Sequence, residues 1–251
     1  MTIALFVDVD KTLTKNFIQQ EFATALNCQS EYKALEDEFQ SKQITAIDFG
    51  RKIISLFASK NFKEHQAEEI FAKVELQDWT PRSLRLNHID KFLVSSGPNY
   101  YIDLLASKYL IPPENVCRSQ YSFNKSTQII ESCDAISEFD KEDFVYRKSK
   151  NYEITIGIGD HPDLDAFVSR CTIGFLTVQT ERHIYIPNFN SAVLLIQRLS
   201  DALGSERRVF PADRMSIPQV VAALNLHSWA LLGGGITVVF GVGAFVGKLF
   251  Q

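Results

Sequence analysis

The chain is poor in cysteine, and what it has is dispersed. Cys28, Cys117, Cys133 and Cys171 show no C-x-x-C spacing. Zinc and thioredoxin-like readings therefore lack support, and reduced thiols in a cytosolic environment are the simplest account. A basic surplus is also missing: 26 Lys and Arg stand against 30 Asp and Glu, a formal net charge of −4. That disfavours nucleic acid as a partner. No positively charged segment precedes the first apolar run, so no signal peptide is expected. No internal repeat stands out in the 251 residues. One absence is local: residues 215–247 contain no Asp, Glu, Lys or Arg.

What is present begins at residues 3–14, IALFVDVDKTLT. A short apolar run flanked by polar residues reads as a buried strand. It ends in Asp8 and Asp10, whose side chains are expected to project to the same side. Carboxylates this close repel unless a cation or a shared proton separates them. Solvated acids at a strand end are the plain alternative. Two later segments repeat the pattern. HIDKFLVSSG, residues 88–97, is a strand ending in Ser95, Ser96 and Gly97. Hydroxyls beside a glycine bring O–H and N–H donors near a phosphate oxygen. EITIGIGDHPDLD, residues 153–165, is another apolar strand, followed by Asp160, Asp163 and Asp165. Such an oxygen-rich set suits Mg²⁺.

In this order, the three segments resemble the haloacid dehalogenase-like phosphohydrolase superfamily, and within it the phosphoserine phosphatase-like branch. DVDKT matches the first motif, DxDx[TV], and Ser95 the second-motif Ser/Thr. GIGDHPDLD matches the fourth motif in its longer form, GDxxxxD, through Asp160 and Asp165. The commoner spacing would put the second acid at Leu164, so Asp163 or Asp165 must serve, and Asp165 is favoured. The resemblance runs from residue 1 to about residue 178. It implies an α/β fold, a Rossmann-like parallel sheet core with a helical cap inserted between the first and second motifs. It also implies a third-motif lysine. Lys125, Lys141, Lys148 and Lys150 are candidates; Lys141 opens a predicted helix and is favoured, with Lys148 in reserve.

The implied roles follow. Asp8 is the nucleophile that becomes an aspartyl-phosphate. Asp10 protonates the leaving oxygen and then deprotonates water. Mg²⁺ is held by the Asp8 carboxylate, the Asp10 carbonyl and Asp160, with Asp165 in support. Ser95 and Lys141 bind phosphoryl oxygens, assisted by Thr12, Ser96 and Gly97. The expected activity is Mg²⁺-dependent hydrolysis of a small phosphate monoester. Phosphotransfer within the same superfamily and a membrane-tethered, non-catalytic binding protein are the alternatives.

Residues 15–85 contain four segments with apolar residues at mixed three and four spacing, which predicts a helical cap. Tyr32, Arg51 and Lys52 are candidate specificity residues, and Glu21 a loose one with Arg51. Lys11 is unusual, since the family more often has a small residue there. It reaches an anionic substrate or faces solvent. The expected division is residues 1–14 and 86–205 for the core, 15–85 for the cap, 206–228 for a linker and 229–247 for an apolar tail. That tail, WALLGGGITVVFGVGAFVG, barely reaches the ~20 apolar residues that span a bilayer. Arg207, Arg208 and Arg214 precede it, which predicts a membrane-associated protein with a cytoplasmic catalytic domain. Gly243 and Gly247 give G-x-x-x-G spacing, a hint of a homodimer. An apolar segment packed on a partner or lying on the membrane surface is the competing reading, and Gly233, Gly234 and Gly235 weaken a straight helix.

Overall fold

The computed structural model describes residues 2–178, 183–185, 192–194 and 196–197. The linker and the apolar tail lie outside these residues. Among the described residues no helix is long and apolar enough to cross a membrane.

The central strand is β1 (Ile3–Val7), and its five residues are all buried. Burial on both faces is what a run of Ile, Ala, Leu, Phe and Val without alternation dictates, because helices cover both sides of a parallel sheet. Ile3, Leu5 and Val7 join the larger core with the inserted helices. Ala4 and Phe6 face the smaller one. β1 pairs in parallel with β2 (Asp90–Pro98) on one side and β5 (Ile154–Gly159) on the other. Beyond β2 lie β3 (Val116–Phe123) and the antiparallel β4 (Ile130–Asp134). Beyond β5 lie β6 (Ile173–Leu176) and β7 (Ile184–Tyr185). The order is β4-β3-β2-β1-β5-β6-β7. The chain builds outward from β1 in one direction, then returns to build in the other. That reversal opens a crevice at the carboxyl ends of β1, β2 and β5, where such sheets bind ligands.

Between β1 and β2 the chain forms α1 (Ile18–Ala25), α2 (Gln29–Gln40), α3 (Ala46–Ser59), α4 (Glu64–Phe71) and the short α5 (Thr80–Leu84). The first four match the helical segments read from the sequence; α5, beginning beside Pro81, was not anticipated. The two chain crossings into this insertion run side by side, with Thr14 bridged to Leu76 and Lys15 N–H donating to Glu75 C=O at 2.9 Å. The insertion is also tied to the sheet. Lys63 bridges to Ile129, and Ile130 N–H donates to Phe62 C=O at 3.1 Å. A Cβ on Gly50 of α3 would lie 3.2 Å from the Ala135 Cβ, so a small residue lets α3 approach the end of β4 closely. After β2, α6 (Asn99–Lys108) covers one face. On the other face α7 (Glu138–Ser149) begins with a capping box between Ser137 and Asp140.

Candidate active site

Because β1, β2 and β5 are parallel neighbours, the residues after their last ladder bonds share one edge. Asp8 is the first residue past β1, and its N–H still donates to Ile158 C=O at 2.9 Å. The α7 capping box sets the helix start, which puts Lys141 on its first turn, pointing at that edge and 3% exposed. Its ammonium lies 3.1 Å from Asp8 Oδ1 and 2.6 Å from Asp165 Oδ1. Burial alone would lower the Lys141 pKa, but Asp165 and Asp8 outweigh it and raise it, so the ammonium is charged. Lys148 instead lies over the Phe92 and Phe144 rings, and Lys150 over Tyr146.

Asp8, Asp160 and Asp165 each offer an oxygen, and these oxygens lie within 4.8 Å of one another. One ammonium does not balance three carboxylates. Burial first, then Asp165, raises the Asp8 pKa well above its ordinary value despite Lys141. Burial and Asp165 push Asp160 up to about 7. The local charge deficit and the all-oxygen donor set fit a hard divalent cation.

The loop after β5 shows how the longer spacing is accommodated. Asp165 Oδ2 accepts from the N–H groups of Asp160 and His161 at 3.0 and 3.1 Å. Its carboxylate packs on Gly159, where a Cβ would meet Asp165 atoms at 2.6 Å. Asp163 points the other way, exposed, and its carboxylate meets Lys42 of the insertion at 3.3 Å. The turn therefore brings Asp165 into the cluster and leaves Asp163 outside.

Asp10 lies in a turn, beyond strand alternation, so the expectation that both acids project alike holds only in that both line one cavity. Its carboxylate turns away from the cluster. Oδ1 accepts from Ile18 N–H at 2.7 Å, and Oδ2 from the Tyr101 hydroxyl at 2.9 Å. Burial raises the Asp10 pKa, while these two donors lower it. Ser95 is buried, and its Oγ accepts from Gly97 N–H at 2.9 Å. Ser96 and Gly97 line the same cavity. Thr12 corrects the sequence reading. The turn buries its side chain completely, away from the cavity lining, and its hydroxyl donates to Asp160 Oδ1 at 3.3 Å. Its hydroxyl supports a carboxylate from outside the cavity lining.

The cavity holds about 350 Å³. Its far wall comes from the helical insertion: Phe17, Gln20, Tyr32, Glu36, Phe39 and Phe49. Tyr32 was anticipated. Glu21 and Arg51 are not in the lining; Arg51 is exposed beside Asp48, and Lys52 pairs with Glu38. Glu36 was missed. Its carboxylate is buried, 3.0 Å from the Lys33 ammonium and 3.2 Å from Gln20 Nε2. The available signal was an acid on the apolar stripe of α2, between Tyr32 and Phe39 at helical spacing. Lys11 takes a positive φ of 60° and sets its ammonium 3.8 Å from the Phe17 ring centre. In a left-handed backbone any Cβ is strained and glycine alone avoids the cost, so lysine at this position carries that strain.

No protein-family model and no curated protein matches this sequence. The architecture does match solved structures. A phosphoserine phosphatase captured as a phospho-aspartyl intermediate analogue is similar with a TM-score of 0.60 at 14% identity, covering 70% of this chain and 86% of that one. A phosphoserine phosphohydrolase-like protein from Francisella tularensis gives 0.57 at 20% identity, covering 77% and 98%. A probable phosphoserine phosphatase from Vibrio cholerae gives 0.62 at 15% identity, covering 83% and 68%. The chain thus has the haloacid dehalogenase-like fold of the phosphoserine phosphatase type.

Proposed function

We propose that this chain is a phosphatase that hydrolyses a small phosphate monoester through an aspartyl-phosphate at Asp8, with Mg²⁺ as cofactor. The observation that carries the reading is the buried contact of Lys141 with Asp8 and Asp165 at the mouth of β1, beside Asp160. A binding protein gains nothing from burying two carboxylates on one ammonium with a third, half-buried, beside them. A phosphoryl-transfer site does, because the arrangement is completed by a cation and an anionic substrate.

Asp8 attacks phosphorus with one carboxylate oxygen. As the bond from phosphorus to the alcohol oxygen breaks, Asp10 gives that oxygen its proton. Burial favours the protonated form of Asp10 that this step needs. In the second half, a water oxygen attacks phosphorus and its proton passes to the Asp10 carboxylate. The bond to Asp8 breaks, and inorganic phosphate leaves. Lys141 and Ser95 hold the phosphoryl oxygens, fixed in advance by the α7 capping box and by the Ser95–Gly97 hydrogen bond. Asp8, Asp160 and Asp165 would hold Mg²⁺ with the Asp10 carbonyl. When bound, it neutralises the carboxylates and offsets charge developing on the phosphoryl group.

The test is a screen of phospho-amino acids, sugar phosphates, nucleotides and lipid phosphates with Mg²⁺ present. Hydroxylamine-labile phosphate should be trapped on the wild type and be absent from Asp8→Asn. A chain that hydrolyses none of these, and traps no phosphate, overturns the reading. Membrane attachment through residues 229–247 is a separate proposal, resting on sequence alone. Full-length protein should stay with membranes through alkaline carbonate; release into the supernatant overturns it.

A further inference from the structure

We propose that Tyr101 is a positioning residue that fixes the plane of the Asp10 carboxylate for proton transfer to the leaving oxygen. The inference rests on the phosphatase reading above. Asp10 stands in a turn past the last ladder bond of β1, so no sheet neighbour orients it. It is held by hydrogen bonds and, among the described residues, by no ion pair. One donor, Ile18 N–H at 2.7 Å, would still leave the terminal carboxylate torsion soft, since that rotor is broad. The Tyr101 hydroxyl, 2.9 Å from the other oxygen, removes that freedom. Each oxygen keeps a second lone pair, so the acid can still carry a proton towards the cavity.

The tyrosine is itself held. It sits on the first turn of α6, 1% exposed, with its ring 5.6 Å from Tyr100 and 6.0 Å from Phe22. Its hydroxyl lies over Gly97, where a Cβ would come within 2.2 Å. The glycine two residues after the second-motif serine therefore makes room for the hydroxyl that reaches Asp10. The first and second motifs are joined through a residue that belongs to neither.

Tyr101→Phe removes one oxygen atom and keeps the buried ring. The experiment compares phosphorylation of Asp8 in full-length, Mg²⁺-loaded protein by two substrates. An alkyl phosphate needs a proton on its leaving oxygen; p-nitrophenyl phosphate releases a stable phenolate without one. With the alkyl phosphate, kcat should fall roughly tenfold to hundredfold, the effect of losing a hydrogen bond to a charged group, with KM within about twofold. The p-nitrophenolate burst rate should stay within about threefold of wild type. In an Asp10→Asn background the same substitution should add less than about twofold, because the group it positions is gone. Equal losses with both substrates, no loss with either, or additive losses in the double variant overturn the proposal. The alkyl phosphate is one that the wild type hydrolyses in the screen above; a wild type that hydrolyses no phosphate monoester overturns the phosphatase reading instead.

Discussion

The two walls of the cavity are built on different principles. The sheet wall carries Asp8, Ser95, Lys141, Asp160 and Asp165, each held by hydrogen bonds or ion pairs to another member of the set or to the backbone beside it. The helical wall carries rings, three carboxamides and one buried carboxylate whose cationic partner, Lys33, is 60% exposed. The first wall is fixed before any ligand arrives and does one kind of chemistry. The second is held by ring packing and by the contacts of Glu36 with Lys33 and Gln20, none of which reaches the carboxylate cluster, so it can change its ligand without disturbing the first. If the chain is the phosphatase proposed above, phosphoryl transfer and choice of substrate are separable in it.

The largest effect that would break this separation lies at Asp8. Asp8→Asn should lower turnover of every monoester by roughly 10³-fold or more, since covalent catalysis is lost. Loss confined to some substrates would show the walls to be coupled. Next is Asp165. Asp165→Ala leaves Lys141 paired with Asp8 but takes the acceptor from the Asp160 and His161 N–H groups and should cost about 1–3 kcal/mol of stability, while Asp163→Ala, in an exposed pair, should cost about 0–1 kcal/mol. Urea denaturation of both variants checks this, and equal costs would mean that the loop after β5 is read wrongly.

Metal removal sharpens the contrast through pH. Burial raises Asp8, Asp10 and Asp160, the last to about 7, so the folded, metal-free protein binds more protons than the unfolded chain. The stabilising share of these groups is full below the unfolded carboxylate range and is lost as pH rises towards 7. With EDTA the melting temperature should be lower at about pH 7.5 than at about pH 5, and Mg²⁺ should stabilise more at the higher pH. A metal-free protein that gains stability over that interval contradicts the assignment. The smallest effect belongs to the helical wall. Glu36→Gln should reorder kcat/KM across a panel of monoesters by roughly tenfold and leave p-nitrophenyl phosphate within about twofold. A uniform loss would place Glu36 in the chemistry.

The same division explains what could be read from the sequence. Asp8, Ser95 and Asp160 were legible because a parallel sheet brings strand ends together, so short contiguous patterns suffice. Lys141 was legible through its helix start. Thr12 was misplaced because a turn, unlike a strand, gives no rule for which way a side chain faces. Glu36 and Tyr101 were missed for another reason. Their partners are 16 and 91 residues away, Gln20 and Asp10, and no local periodicity records such a contact. β3 and β4 also escaped notice, since their exposed faces mix Ser, Arg, Gln and Glu into the apolar pattern.

The helical insertion is joined to the sheet at two separated places, along the paired crossings at Thr14 and Leu76 and along the hairpin at Lys63 and Ile129. A door on one hinge swings freely; a panel fastened along two edges does not. Wholesale opening would have to rupture backbone hydrogen bonds or drag β3 and β4 along. The margin held by the exposed Lys42–Asp163 pair can part at far smaller cost. Molecular traffic is therefore expected through that margin, by a parting of loops. On that geometry the size limit on what reaches Asp8 is set by a gap, and under the proposed function the bulk of a substrate would be screened on the way in as well as at the wall.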